Sequence, residues 1–268
     1  MKKGLLLFIL FISFQGYSQK DSIVNYLDNN NEITKIKNRT LFIETKVNKG
    51  DKWLVKKFNR LGKLITVGYY KDGDKKYAIG NHKTFFRGQK LTSDINYNSF
   101  GDYHGLIQTW FYNGAKNFIG TYENGYKVGV WKYYYLNGNI ALREYYTKGK
   151  LIKKIVYNID GVKNLQNPTI LNEKLSYEGG MSMFHKRMSN IHDFIKFQVV
   201  GYIYLDFIVN IDGTISNVDI LSNIPKALKK DIEIYLNNIK EFHPTISKGR
   251  KIPTHYIYPL NFRVIFNE

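Results

Sequence analysis

Cysteine is absent from all 268 residues, which excludes thiol chemistry, a disulfide framework and a cysteine-linked lipid anchor. No apolar run of membrane-spanning length is present either. The longest stretch, Gly4 to Phe14, is interrupted only by Ser13, and its eleven residues rise about 16 Å as a helix, roughly half a hydrocarbon core. A long proline-rich spacer and a glycine-rich phosphate loop are also missing, and no nucleophile elbow surrounds Ser182 or Ser189. The six histidines, His82, His104, His185, His192, His243 and His255, are scattered; His185 and His192 have no carboxylate at i,i+4 spacing to complete a metal-ligand set. Asp206, Asp212 and Asp219 follow strand and turn positions. The expectation is a noncatalytic protein without cofactor or metal.

What is present begins with a cationic head, Met1-Lys2-Lys3, the apolar run, and then Gln15-Gly16-Tyr17-Ser18. This reads as a secretory signal cleaved after Ser18, with a retained anchor as the alternative. Export places the protein in the periplasm or at the outer-membrane periphery. The formal charge is +18, and it is uneven: residues 19–175 carry 27 Lys/Arg against 13 Asp/Glu, whereas residues 176–268 carry 11 against 9. Such a field favours anionic envelope surfaces or acidic partners, and it also keeps an aromatic-rich sheet in solution. No nucleic-acid partner is expected, because export removes the chain from that target.

Glycines set a period through residues 51–156. Gly62, Gly88, Gly114 and Gly138 stand 26, 26 and 24 residues apart, with strand-forming aromatics such as Trp110-Phe111-Tyr112 and Trp131-Lys132-Tyr133-Tyr134-Tyr135 between them. The Asn-Gly pairs at 113–114 and 137–138 suit turns whose central residues need positive φ, so the segment reads as a run of hairpins sharing their buried surface. The core Gly129-Val130-Trp131-Lys132-Tyr133-Tyr134-Tyr135-Leu136-Asn137-Gly138 resembles MORN-type and antitoxin-like repeats. Trp131 and Tyr134 are candidate partner contacts on a tyrosine-rich face suited to glycans or peptides; the same rings also serve as stacking residues.

The last ninety residues change character. Gly201 to Val209 and Thr214 to Ile220 form a hairpin around Asp212-Gly213, each strand with one apolar face. Met181, Phe184, Met188, Ile191 and Ile195 fall on one helical stripe, and Leu228, Ile232, Tyr235 and Ile239 on another, with Ser222 or Asn223 as cap and Pro225 in the first turn. Leu260, Phe262, Val264 and Phe266 alternate as a final strand. The order is helix, strand, strand, helix, strand. Tyr177-Glu178-Gly179-Gly180, Val199-Val200-Gly201, the hairpin through Gly213, Phe242-His243-Pro244 and Pro259-Leu260-Asn261-Phe262 make residues 177–266 resemble the TonB C-terminal domain, although that family usually has Trp where Phe242 stands.

The resemblance implies a small α+β domain that engages an outer-membrane or other envelope protein by strand addition. Its edge would be Pro259 to Phe266, with Asn261 and Arg263 as outward contacts, while Gly201, Asp212, Gly213, Phe242 and Pro244, like Gly114 and Gly138, shape turns and core. The expected fold class is therefore mixed: a β-hairpin repeat array followed by a TonB-C-like domain with a three-stranded antiparallel sheet and two helices. The expected organisation is a signal peptide at 1–18, a lead-in at 19–50, repeats at 51–156, a linker at 157–175 and the C-terminal domain at 176–268. Three functions compete: a binding adaptor of the envelope, a scaffold adhering to anionic membrane or wall, and an energy transducer for outer-membrane transport. The oligomeric state stays open.

Overall fold

Residues 22–164 contain no proline, so every one of them has a backbone N–H to give to a ladder. They run as one antiparallel meander, with a 3-10 turn at Lys37–Arg39 in its first connection. In the computed structural model, which describes residues 22–164, 168, 170–191 and 201–262, its strands are β1 (Ser22–Leu27), β2 (Phe42–Asn48), β3 (Trp53–Asn59), β4 (Leu64–Tyr70), β5 (Ala78–Phe86) and β6 (Lys90–Tyr97). They continue as β7 (Gly105–Trp110), β8 (Lys116–Glu123), β9 (Tyr126–Tyr134), β10 (Ile140–Thr147), β11 (Lys150–Tyr157) and β12 (Lys163–Asn164). All twelve lie in one sheet in sequence order. The lead-in thus contributes β1 and β2, and part of the expected linker contributes β12. The signal segment lies outside the described residues, among which no helix is long and apolar enough to cross a membrane.

Two turn chemistries build the meander. Gly62, Gly114, Gly138 and Gly161 close one end: Asn59, Phe111, Tyr135 and Asn158 each donate their N–H to the carbonyl four residues on and accept one from the glycine three residues on. This is the three-residue type I loop with a bulge, in which only the glycine takes positive φ, 91° at Gly114 and 90° at Gly138. Asn113 and Asn137 are not at positive φ, contrary to the expectation for those pairs. Turns with two positive-φ residues occur at Asn124-Gly125 and Lys148-Gly149 at the opposite end, and at Arg87-Gly88 on this one.

Directly opposite residues share a face, and the register defines both faces. One row runs Thr45, Lys56, Val67, Lys83, Asp94, Gln108, Ile119, Lys132 and Arg143. The other row carries Glu44, Lys57, Thr66, Thr84, Ser93, Thr109, Phe118, Tyr133 and Leu142. On this second face Trp131, only 2% exposed, lies over Gly120, where a Cβ would come within 2.2 Å of the indole. His82 lies over Gly68 with the same 2.2 Å approach. Each follows a positive-φ glycine by two residues, Gly129 and Gly80, and Ile107 follows Gly105 likewise. Tyr70, His82, Tyr97, Tyr103, Tyr122 and Trp131 then form a chain of rings with centroids 4.8 to 5.0 Å apart.

The C-terminal region corrects the mixed-class expectation. The chain is predominantly β, dominated by the twelve-stranded sheet, with two α-helices among the described residues, α1 (Met181–Ser189) and α2 (Lys226–Asn237). The repeats do not lead into a free-standing TonB-C-like domain built on one sheet. The strands β13 (Asn172–Glu173), β14 (Ser176–Tyr177), β15 (Gly201–Val209), β16 (Ile215–Ile220), β17 (Phe242–His243), β18 (Thr245–Ser247), β19 (Arg250–Ile252) and β20 (Thr254–Phe262) divide among three sheets. Their orders are β13-β18-β19, β14-β17 and β16-β15-β20. Pro244 and Pro253 fall at breaks between these strands and remove ladder donors there.

Nor does β15 have a single apolar face: residues 203–209 are all buried. Ile203, Leu205, Phe207 and Val209 pack with Phe184, Met188, Leu228 and Ile232 of the helices. Tyr204, on the alternate side, packs with Leu41 and Leu221. A strand covered on both sides reads as a nearly unbroken apolar run, and Asp206 is its exception. Pro225 occupies the cap position of α2 without a side-chain cap, while Ser222 instead accepts the Tyr204 N–H at 3.3 Å.

Because the Trp131 indole fills the space where a Gly120 side chain would stand, Gly120→Ala is expected to lower stability by ~2 kcal/mol through overpacking. Gly114→Ala, in open space at positive φ, should lose only the backbone term of ~1 kcal/mol. Urea unfolding of the two variants reads the difference.

Candidate binding cleft between the sheet and the C-terminal layer

The two layers meet through three polar clamps. Arg87 sits in the β5–β6 turn with φ of 50°, followed by Gly88 at 71°, and this turn aims its guanidinium at the second layer. There Nη2 donates to Asp206 Oδ1 at 2.8 Å and to the Asp206 carbonyl at 2.9 Å, and Nε donates to Oδ1 at 3.3 Å. A further bond reaches the Asn217 carbonyl. His255 Nε2 lies 2.8 Å from the same Oδ1, and the Phe86 ring meets the imidazole edge-on at 5.2 Å. Burial alone would raise the Asp206 carboxyl, but His255 and Arg87 outweigh it and hold the group below its ordinary value of 3.8. The second clamp is the Tyr204 hydroxyl, which donates to the Arg39 carbonyl at 2.9 Å.

The third clamp is cationic. Lys248 Nζ stands 2.9 Å from Glu144 Oε1, and Tyr146 donates to Glu144 Oε2 at 2.9 Å. Burial pushes the Glu144 carboxyl up, and the Lys248 and Tyr146 contacts more than reverse this, so it lies below its ordinary value. Beside it Arg250 is 2% exposed and donates to the Asn117 carbonyl at 3.2 Å, to Asn117 Oδ1 at 3.1 Å and to the Tyr134 carbonyl.

Between the clamps the layers leave a cleft of about 350 Å³, walled by Phe42, Lys57, Phe86, Trp110, Tyr112 and His255. Aromatic walls with a few fixed polar groups suit the grip of an apolar or planar group. Asp206 fixes His255 through Nε2, and its own charge is shared with Arg87, so the carboxylate is committed to holding the layers together. Among the described residues no group of three or more His, Cys, Asp or Glu is placed to hold a metal ion.

The residues singled out from sequence are dispersed rather than gathered here. Trp131 is in the core beneath a Lys127 ammonium 4.1 Å from its ring, and its Nε1 donates to the Thr121 carbonyl at 3.2 Å. Tyr134 is half-buried and meets Arg250 through its backbone. Asn261 is exposed on β20 opposite Tyr202, and Arg263 lies outside the described residues. Among the turn and core residues, Gly213 at φ of 84° approaches the Phe242 carbonyl so closely that a Cβ would lie 2.2 Å from it. Asp212 accepts from the Thr214 N–H at 3.0 Å and its hydroxyl at 2.6 Å. Phe242 packs against Phe184 and Tyr177 at 4.9 and 5.0 Å, and Gly201 takes φ of 108°.

Arg87, Asp206, His255, Glu144, Lys248 and Arg250 were not singled out as a site, and their partners stand more than a hundred residues apart, His255 and Asp206 excepted. The available signal was Asp206 itself, a carboxylate inside the apolar run Ile203 to Val209. Comparison with protein-family models, curated proteins and solved structures finds no match to this chain.

Asp206→Asn removes the charge that Arg87 pairs with and that the His255 imidazole contacts. At neutral pH it is expected to cost ~3 kcal/mol, the order for breaking a buried ion pair. Since the native carboxyl is held below its ordinary value, its stabilisation is complete above pH 3.8 and fades as pH falls through the lower native value. Urea midpoints of wild type and variant should therefore differ at pH 7 and converge in acid below that ordinary value.

Proposed function

We propose that this protein is an exported, noncatalytic binding adaptor of the cell envelope that takes an extended segment of a partner protein by strand addition. One observation supports this most: β20 is a nine-residue strand at the outside of its sheet, and no strand pairs with its far side among the described residues. The N–H and C=O groups on such an edge are a template for another chain. Pro259 gives no N–H, so pairing is strongest on either side of it, at Thr254 to Tyr258 and from Leu260 through Asn261. Asn261 projects to solvent at this edge, and Arg263 follows it in sequence. The buried clamps support a rigid platform behind the edge, since each one ties the C-terminal layer to the large sheet.

A second reading has its own support. The row Lys56, Lys83, Lys132 and Arg143, opposed only by Asp94 within it, lies on the sheet face turned away from the C-terminal layer, and the charge surplus is concentrated in the same half of the sequence. Adhesion to an anionic membrane or wall polymer is the function that row suits.

A photo-reactive residue at position 261 of the full-length protein, irradiated in intact cells, is expected to give one discrete adduct with an outer-membrane protein, lost in Arg263→Glu. Retention on isolated envelopes that salt abolishes and Lys83→Glu with Lys132→Glu weakens, without any adduct, overturns the adaptor in favour of adhesion.

A further inference from the structure

Turn tips ordinarily carry polar residues, because they face water. Three tips of this protein break that pattern at one place. Leu136 in the β9–β10 turn, Ile159 in the β11–β12 turn and Ile211 in the β15–β16 turn converge, with Gly249 from the β18–β19 turn and Arg250 and Lys251 at the start of β19, around a pocket of about 520 Å³. Ile159 is 51% exposed, so folding leaves its side chain facing this open space. The walls are fixed from behind: Asn137 and Asn139 both donate to the Ile159 carbonyl, at 3.1 and 2.9 Å, and the Tyr135 hydroxyl donates to the Tyr157 carbonyl at 2.9 Å.

The charge of this pocket is unbalanced. Its lining includes Arg250 and Lys251 and no acidic residue. Arg250 is the more telling of the two. Its guanidinium donates to neutral acceptors, the Ser247, Asn117 and Tyr134 carbonyls and Asn117 Oδ1, and no carboxylate of the described residues pairs with it. Its neighbour Glu144 is already taken by Lys248. A buried guanidinium in this condition has lost hydration without gaining a counter-charge. Burial accordingly brings its pKa down to about 10, and any anion entering the pocket supplies what the protein does not.

We propose that this pocket binds a single-chain amphiphilic carboxylate, its head group at Arg250 and Lys251 and its aliphatic chain along Leu136, Ile159 and Ile211. The volume lies within the roughly 300–1,000 Å³ of small-molecule sites. Binding here is separate from the β20 edge and from the cationic sheet face.

Titration calorimetry of the full-length protein with decanoate tests the assignment, with decyltrimethylammonium and acetate as the matched cation and the head group alone. Decanoate is expected to bind at least about tenfold more tightly than either. Lys251→Glu and Ile159→Glu, both at exposed positions that leave the Arg250 clamp intact, should each weaken it about tenfold or more while the circular dichroism spectrum stays unchanged. Absence of decanoate binding up to about 1 mM, equal affinity for the cationic amphiphile, or indifference to both substitutions overturns the proposal.

Discussion

An open antiparallel sheet leaves two faces to water, and a stable one buries at least one of them. Here the chain does so with its own C-terminal residues 170–191 and 201–262, and the remaining features depend on that covering. The meander supplies a large platform whose second face carries Trp131, Tyr133 and Leu142. The β16-β15-β20 sheet lies against it and in turn carries α1 and α2 on its other side. β15 is consequently the middle of a sandwich, with the helices on one flank and the twelve-stranded sheet on the other.

Apolar contact alone does not fix how two such layers are aligned, since it is non-directional. The clamps provide the register. Asp206 receives Arg87 from one turn and His255 from a neighbouring strand, Glu144 receives Lys248, and Arg250 reaches the carbonyls at the ends of the β7–β8 and β9–β10 hairpins. A buried charge without its partner is costly, so layers displaced by a few ångströms would expose several such charges at once. Specific alignment follows from this penalty more than from any net attraction. Arg250 is the one buried guanidinium among these clamps that meets only neutral groups, which is why the pocket beside it stands out from the aromatic cleft.

Much of the repeat region was legible in the residues. The glycine period at Gly62, Gly88, Gly114 and Gly138 marks successive turns at one end of the sheet, because a hairpin of fixed strand length returns to the same end every two strands. Turn type was not legible at Asn113-Gly114, where Gly alone takes positive φ, and the second period, Gly80, Gly105 and Gly129, is masked because His82 and Ile107 stand where the tryptophan would mark it. The helical stripes through Phe184 and Met188 and through Leu228 and Ile232 were visible for the usual reason: burial of one side imposes the period of the helix.

Strands, turn positions and helical stripes are properties of the amino-acid order alone, since each rests on contacts within a few residues: φ preferences at glycine, side-chain alternation, the spacing of apolar positions. The surplus of positive charge in the first two thirds is another. Long-range packing was needed to bring the lead-in into the sheet, to split the C-terminal strands among three sheets instead of one, and to make Arg87, Asp206 and His255 meet. Those outcomes are set by groups far apart in the chain and by which surface was left to be covered, and no local pattern encodes either.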